Sequence, residues 1–145
     1  MESFRRMTND CIQIGLTEGR TSLKSLSLAC YPKLKRYEVP SAYKLCAISK
    51  SSGILKHHRK LSRRHHVKQP YCTRLSLTSC YGVKITAGKL QMPGNVEILL
   101  NSYVQRFLSQ PGVEVRSVTL TAESARISVR KQVEPMKCSG DAGHR

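Results

Sequence analysis

A chain of 145 residues has room for one domain or two small ones and for a modest core. Its 25 Lys and Arg against 9 Asp and Glu give a formal charge of +16, a self-repulsion that an anionic partner relieves, so a polyanion is the expected ligand. Uncharged stretches such as Ser25–Pro32 fall far short of the roughly 20 residues of a membrane span, and no membrane partner is expected.

Phe4, Met7, Cys11 and Ile14 recur at helical spacing and predict an amphipathic helix from Phe4 to Leu16, stopped by Gly15 or Gly19. Glu2, Asp10 and Glu18 argue against reading this segment as an acid-poor transit peptide. Thr21 or Ser22 is suited to cap a second helix of about ten residues with a Leu23, Leu26, Cys30 stripe and Pro32 just beyond its end. Residues 33–39 are charged and aperiodic, and Pro40-Ser41 then opens a longer helix on which Leu45, Ile48 and Leu55 share a face. Gly53 weakens that helix locally.

After Pro70 the apolar period changes from 3.6 to 2. Leu75 and Leu77 alternate with polar residues. Val83 and Ile85 lead through Thr86-Ala87-Gly88-Lys89 to Leu90 and Met92, the pattern of a hairpin with glycine at its turn. Val96, Ile98 and Leu100 continue as a strand, Asn101 caps a helix with Val104, Phe107 and Leu108 on its buried face, and Pro111-Gly112 ends it. Two final strands, Val113–Leu120 and Ala125–Arg130, put Ala125, Ile127 and Val129 inward and Arg126, Ser128 and Arg130 outward. The fold class is therefore α+β: a basic helical region over 1–69, an antiparallel β region with one helix over 70–132, and a disordered tail over 133–145.

Charge is concentrated in the first of these. Residues 1–69 hold 15 basic and 4 acidic side chains against 10 and 5 in residues 70–145, and residues 39–96 contain no carboxylate. Within Lys56–Lys68, the side chains Lys56, Arg59, Lys60 and Arg63 stand at i, i+3, i+4 and i+7, so a helix gathers them on one cationic face suited to a row of phosphates. Solvated helix faces usually mix signs, which favours nucleic acid over mere solvation. Tyr43, Tyr71 and Tyr81 flank the segment as candidates for base stacking or, the favoured reading for each, for core packing. Six cysteines without a Cys-x-x-Cys pair, and histidines in adjacent couples, give neither a zinc site nor a disulfide framework; reduced thiols and a cytoplasmic location are expected. No nucleophile motif, carboxylate cluster or phosphate loop points to an enzyme, and no cofactor or metal is expected.

The segments Thr8–Leu16, Ser49-Lys50 through Ile54-Leu55 to Arg59-Lys60, Val67–Cys72, Cys80–Ile85 with Gly88-Lys89-Leu90, and Val115–Leu120 with Ile127–Lys131 occur together in this order. In that order they resemble the N-terminal part of archaeal OrfB/TnpB-type insertion-sequence proteins, transposon-encoded RNA-guided DNA nucleases related to the type V CRISPR effectors. The resemblance covers roughly residues 5–135. It implies a helical recognition lobe over 5–69 and most of a wedge-like, OB-like β-barrel over 70–132, incomplete because the family usually opens with a strand ahead of the first helix. The family's RuvC-like domain begins with an aspartate in a Gly-Ile-Asp-x-Asn sequence. Here Asp141 stands near that place in the different context Cys138–Arg145, and the later acidic residues and zinc-ribbon cysteines are missing. Two-metal cleavage needs several carboxylates around ions roughly 4 Å apart.

The resulting expectation is a noncatalytic nucleic-acid-binding fragment of a transposase, truncated or frameshifted. It would prefer structured RNA, with DNA as a further ligand and the full-length transposon protein as a further partner. Its binding residues would be Lys56, Arg59, Lys60, Arg63, Arg64, Lys68, Tyr71, Lys84 and Lys89. Size and basicity suit equally a small structural RNA-binding protein of ribosomal kind, and a regulator of the full-length transposon protein is a third reading.

Overall fold

The computed structural model describes residues 1–133. Apart from Val133, the expected disordered tail, with Cys138 and Asp141, lies outside the described residues. Three helices come first: α1 (Glu2–Thr17), α2 (Leu23–Leu34) and α3 (Ser41–Ser62). Then follow β1 (Leu77–Ser79), β2 (Lys84–Thr86), β3 (Lys89–Met92), β4 (Val96–Leu99), the short helix α4 (Ser102–Leu108), β5 (Val113–Leu120) and β6 (Ala125–Lys131). The strands form two antiparallel three-stranded sheets, ordered β1-β5-β6 and β2-β3-β4, and both stay open. The chain is an α+β fold, as the change of apolar period predicts.

α1 and α3 pack through small residues. Thr8, Cys11 and Gly15 on α1 and Ala47, Ser51 and Ser52 on α3 are all buried. Their polar groups are satisfied locally: Thr8 Oγ1 donates to Phe4 O at 2.8 Å, and Ser52 Oγ to Thr21 O at 2.8 Å. Ser51 Oγ lies 2.7 Å from Ala47 O and 2.9 Å from Thr8 O, at the seam between the two helices. Of the two glycines that the sequence offers as the helix stop, Gly15 is therefore not the one. It sits inside α1, where a Cβ would come within 2.3 Å of Leu55 Cδ1 and 2.8 Å of Arg20 O. The chain leaves α1 at Glu18 and turns through Gly19, whose φ of +65° places it in the left-handed region.

Three other expectations need correction. Pro32 lies within the last turn of α2 rather than beyond it; the carbonyl it deprives of a donor belongs to Leu28, a residue that is 70% exposed. Leu23 and Leu45 are 49% and 38% exposed, because Leu26, Cys30 and Leu34 carry the buried face of α2 while Tyr43, Cys46 and Ala47 take the place assigned to Leu45. Ala125 is exposed at the start of β6, although Ile127 and Val129 are half-buried as the alternation requires.

The turn and cap chemistry agrees with the sequence. Ser22 Oγ accepts from Ser25 N at 3.2 Å, and Asn101 Oδ1 accepts from Val104 N at 2.8 Å. Thr86 pairs with Lys89 across a two-residue turn in which Ala87 (φ +45°) and Gly88 (φ +76°) are both left-handed, the conformation that matches strand twist. Val104, Phe107 and Leu108 of α4 are half-buried, the least exposed positions of that helix.

One apolar cluster runs through both halves, but 12 of its 17 buried side chains come from α1, α2 and α3. The helices hold most of the core. The residues between Arg63 and Ser76 lie in no helix or strand, so trypsin is expected to cut first at the exposed Arg63, Arg64 and Lys68.

The described cysteines Cys11, Cys30, Cys46, Cys72 and Cys80 are all free thiols. Cys11 and Cys30 adjoin each other, and their hydrogen bond together with burial holds the Cys11 thiol well above its ordinary pKa. Burial pushes Cys46 up to about 11, while Cys80, whose N–H donates to Cys46 Sγ at 3.3 Å, is exposed. Iodoacetamide at neutral pH should therefore alkylate Cys80 ahead of the other four, as mass mapping of the peptides would show. Faster modification of Cys46 would contradict this packing.

Candidate nucleic-acid interface

α3 runs to Ser62, and Arg63 keeps helical geometry with φ −73° and ψ −21°; His65 N donates to Leu61 O at 3.0 Å. The i, i+3, i+4, i+7 spacing is therefore realised. Lys56, Arg59, Lys60 and Arg63 are exposed and line one groove of about 450 Å³ beside Thr21. Like charges at this spacing repel one another, but three of the four lie in the last turns of the helix, where cations complement the macrodipole. Leu55 and Ser52 anchor the helix beneath the groove.

Among the described residues no carboxylate opposes this face. Glu2 binds Arg5 and Arg6, Glu18 binds Arg20, Asp10 binds Arg36 and the Tyr37 hydroxyl, Glu97 binds Lys89, and Glu114 lies near Arg116. Hydrogen bonds from Arg5 and from Lys89 hold Glu2 and Glu97 respectively below the ordinary carboxylate range. None of the six basic side chains proposed from Lys56 to Lys68 has an ion-pair partner among the described residues.

The other candidates are dispersed. Arg64 lies just past the helix, and Lys68 belongs to a second groove lined by Ile54, His57, Leu61 and Val67. Lys84 and Lys89 sit on the second sheet, Lys89 at 3.1 Å from Glu97. That sheet docks near the start of α3, where Tyr43 donates to Pro93 O at 2.6 Å and Gly94 approaches Pro40. Some 24 Å of helix, at 1.5 Å per residue, separate Tyr43 from Arg59. The structure thus gathers four of the nine proposed residues and places the rest elsewhere.

Tyr71 has a setting that the sequence did not reveal. The irregular segment around it is clamped to α1 by Asn9, whose Nδ2 donates to Cys72 O at 3.0 Å while its Oδ1 accepts from Cys72 N at 2.7 Å. Arg5 adds a 3.3 Å bond to Thr73 O. Lys50, Arg74 and Arg126, three cations from different parts of the chain, line the same cleft as Tyr71. Asn9→Ala removes both clamp bonds, about 1–3 kcal/mol of local stability, and should add Arg74 to the early tryptic sites. An unchanged digestion pattern would show that the segment is held by other contacts.

Among the described residues no three His, Cys, Asp or Glu side chains come together as a metal-holding group, and no helix is long and apolar enough to cross a membrane. Compared with known proteins, the chain matches no family model, no curated protein and no solved structure.

Proposed function

We propose that the chain is a noncatalytic nucleic-acid-binding protein that holds phosphates along the C-terminal third of α3. The observation that carries this reading is the groove of Lys56, Arg59, Lys60 and Arg63, exposed, unpaired by any described carboxylate and fixed in register by the helix. Side chains of this kind position a backbone without reading sequence, so binding is salt-sensitive and only weakly sequence-specific. The OrfB/TnpB resemblance adds the preference for structured RNA over duplex DNA and the origin in a transposon-encoded nuclease, acting in the cytoplasm. Fluorescence anisotropy with a labelled RNA hairpin and a DNA duplex tests the reading: the hairpin is expected to bind more tightly, and an absence of binding to either would refute it.

The same protein incubated with Mg²⁺ or Mn²⁺ and single- or double-stranded DNA is expected to leave the substrate intact, because no carboxylate cluster is recognisable in the sequence. Cleavage that disappears in Asp141→Ala would overturn the noncatalytic reading.

A further inference from the structure

A cleft of about 430 Å³, within the range of small-ligand sites, opens where α3, the Tyr71–Ser76 segment and the outer face of the first sheet meet. Cross-strand register sets Thr78, Thr119 and Arg126 in one row on that face, with the two threonine hydroxyls 3.0 Å apart. Lys50 enters from α3, held by a 3.0 Å bond to Ser76 Oγ and by the Phe4 ring, whose centroid is 5.5 Å away. Arg74 and Tyr71 stand on the segment that Asn9 clamps, and Tyr71 is 65% exposed. Among the described residues no carboxylate lines the cleft.

Two recognition chemistries therefore lie side by side: cations and hydroxyls that suit a phosphate, and an exposed aromatic ring that suits the face of an unpaired base. An acidic peptide would satisfy the cations and leave the ring unused. At 100° per residue, Lys50 stands roughly 120° around α3 from the Lys56–Arg63 face, so the cleft is a second site and not an extension of the groove.

We propose that this cleft takes one unpaired nucleotide of a bound strand, its base stacked on Tyr71 and its phosphate held by Lys50, Arg74 and Arg126. The proposal rests on the nucleic-acid-binding reading above and assigns it a contact that only unpaired nucleic acid makes. A fully paired duplex engages the α3 groove alone.

The test compares a short single-stranded RNA carrying 4-thiouridine with a blunt RNA duplex. Tyr71→Ala, and separately Arg74→Gln with Arg126→Gln, should weaken binding of the single strand by about tenfold and leave the duplex unaffected. Tyr71→Phe should keep wild-type affinity, since stacking needs the ring and not the hydroxyl. Photocrosslinks of the thiouridine strand should map to the tryptic peptide Gln69–Arg74. If these variants bind the single strand as the wild type does, while replacement of Lys56, Arg59, Lys60 and Arg63 by Gln abolishes binding, the cleft proposal falls and the nucleic-acid reading stands. If the wild-type protein binds neither RNA, both fall. Displacement of the single strand by excess uridine monophosphate would make the cleft a site for free nucleotides and overturn the strand-borne occupant.

Discussion

Replacing Arg59, Lys60, Arg63 and Arg64 together by Gln is expected to lower affinity for structured RNA by roughly 10³-fold at 0.1 M salt. Each phosphate contact contributes about 0.9 to the slope of log K against log[salt] on a duplex, and four such contributions account for this loss as salt falls from 1 M. Far-ultraviolet circular dichroism should not change, because all four side chains are exposed and have no ion-pair partner among the described residues. The charge-matched control replaces Arg6, Arg20, Arg36 and Arg116, each paired with a carboxylate, and should retain most of the affinity. Exposed pairs of that kind add little to stability, so the control should fold. Equal losses in the two variants would mean that net charge, and not the α3 groove, drives binding.

Leu55→Ala should destabilise the protein by about 2–5 kcal/mol, since the side chain is 2% exposed and its removal opens a cavity between α1 and α3. Gly15→Ala should also destabilise, by about 1–3 kcal/mol, despite the better helix propensity of alanine, because the new Cβ would sit 2.3 Å from Leu55 Cδ1 and 2.8 Å from Arg20 O. The double variant should then be more stable than the sum of the two losses predicts, as the atom that obstructs the Gly15 methyl is gone. Part of the cost should remain, because the Arg20 carbonyl is backbone and does not yield. Urea denaturation midpoints of the four proteins measure the coupling. Strict additivity would show that the two helices do not meet at Gly15.

These two positions also mark what the sequence did and did not disclose. Element types and order were legible from apolar period, from the caps Ser22 and Asn101, and from the Gly88 turn, because each is a local property of neighbouring residues. The seam between α1 and α3 was not, since it is built from Thr8, Gly15, Ala47, Ser51 and Ser52, none of which registers as a large apolar residue. Counting only large side chains shifted the expected face toward Leu45 and made Gly15 look like a stop. The same holds for the candidate sites. The α3 groove follows from spacing within one helix, whereas the Tyr71 cleft joins Lys50, Arg74 and Arg126 through a sheet whose strands β1 and β5 pair across a long stretch of chain. Lys84 and Lys89 are basic residues of the expected barrel, and the fold sets them on a separate sheet, Lys89 already paired with Glu97.

The most direct test of phosphate binding by the α3 face is the salt dependence of the wild-type protein on a fully paired duplex. If Lys56, Arg59, Lys60 and Arg63 each neutralise a phosphate, log K falls against log[salt] with a slope of roughly −3.6. A slope near zero, with affinity unchanged from low to high salt, would contradict the account.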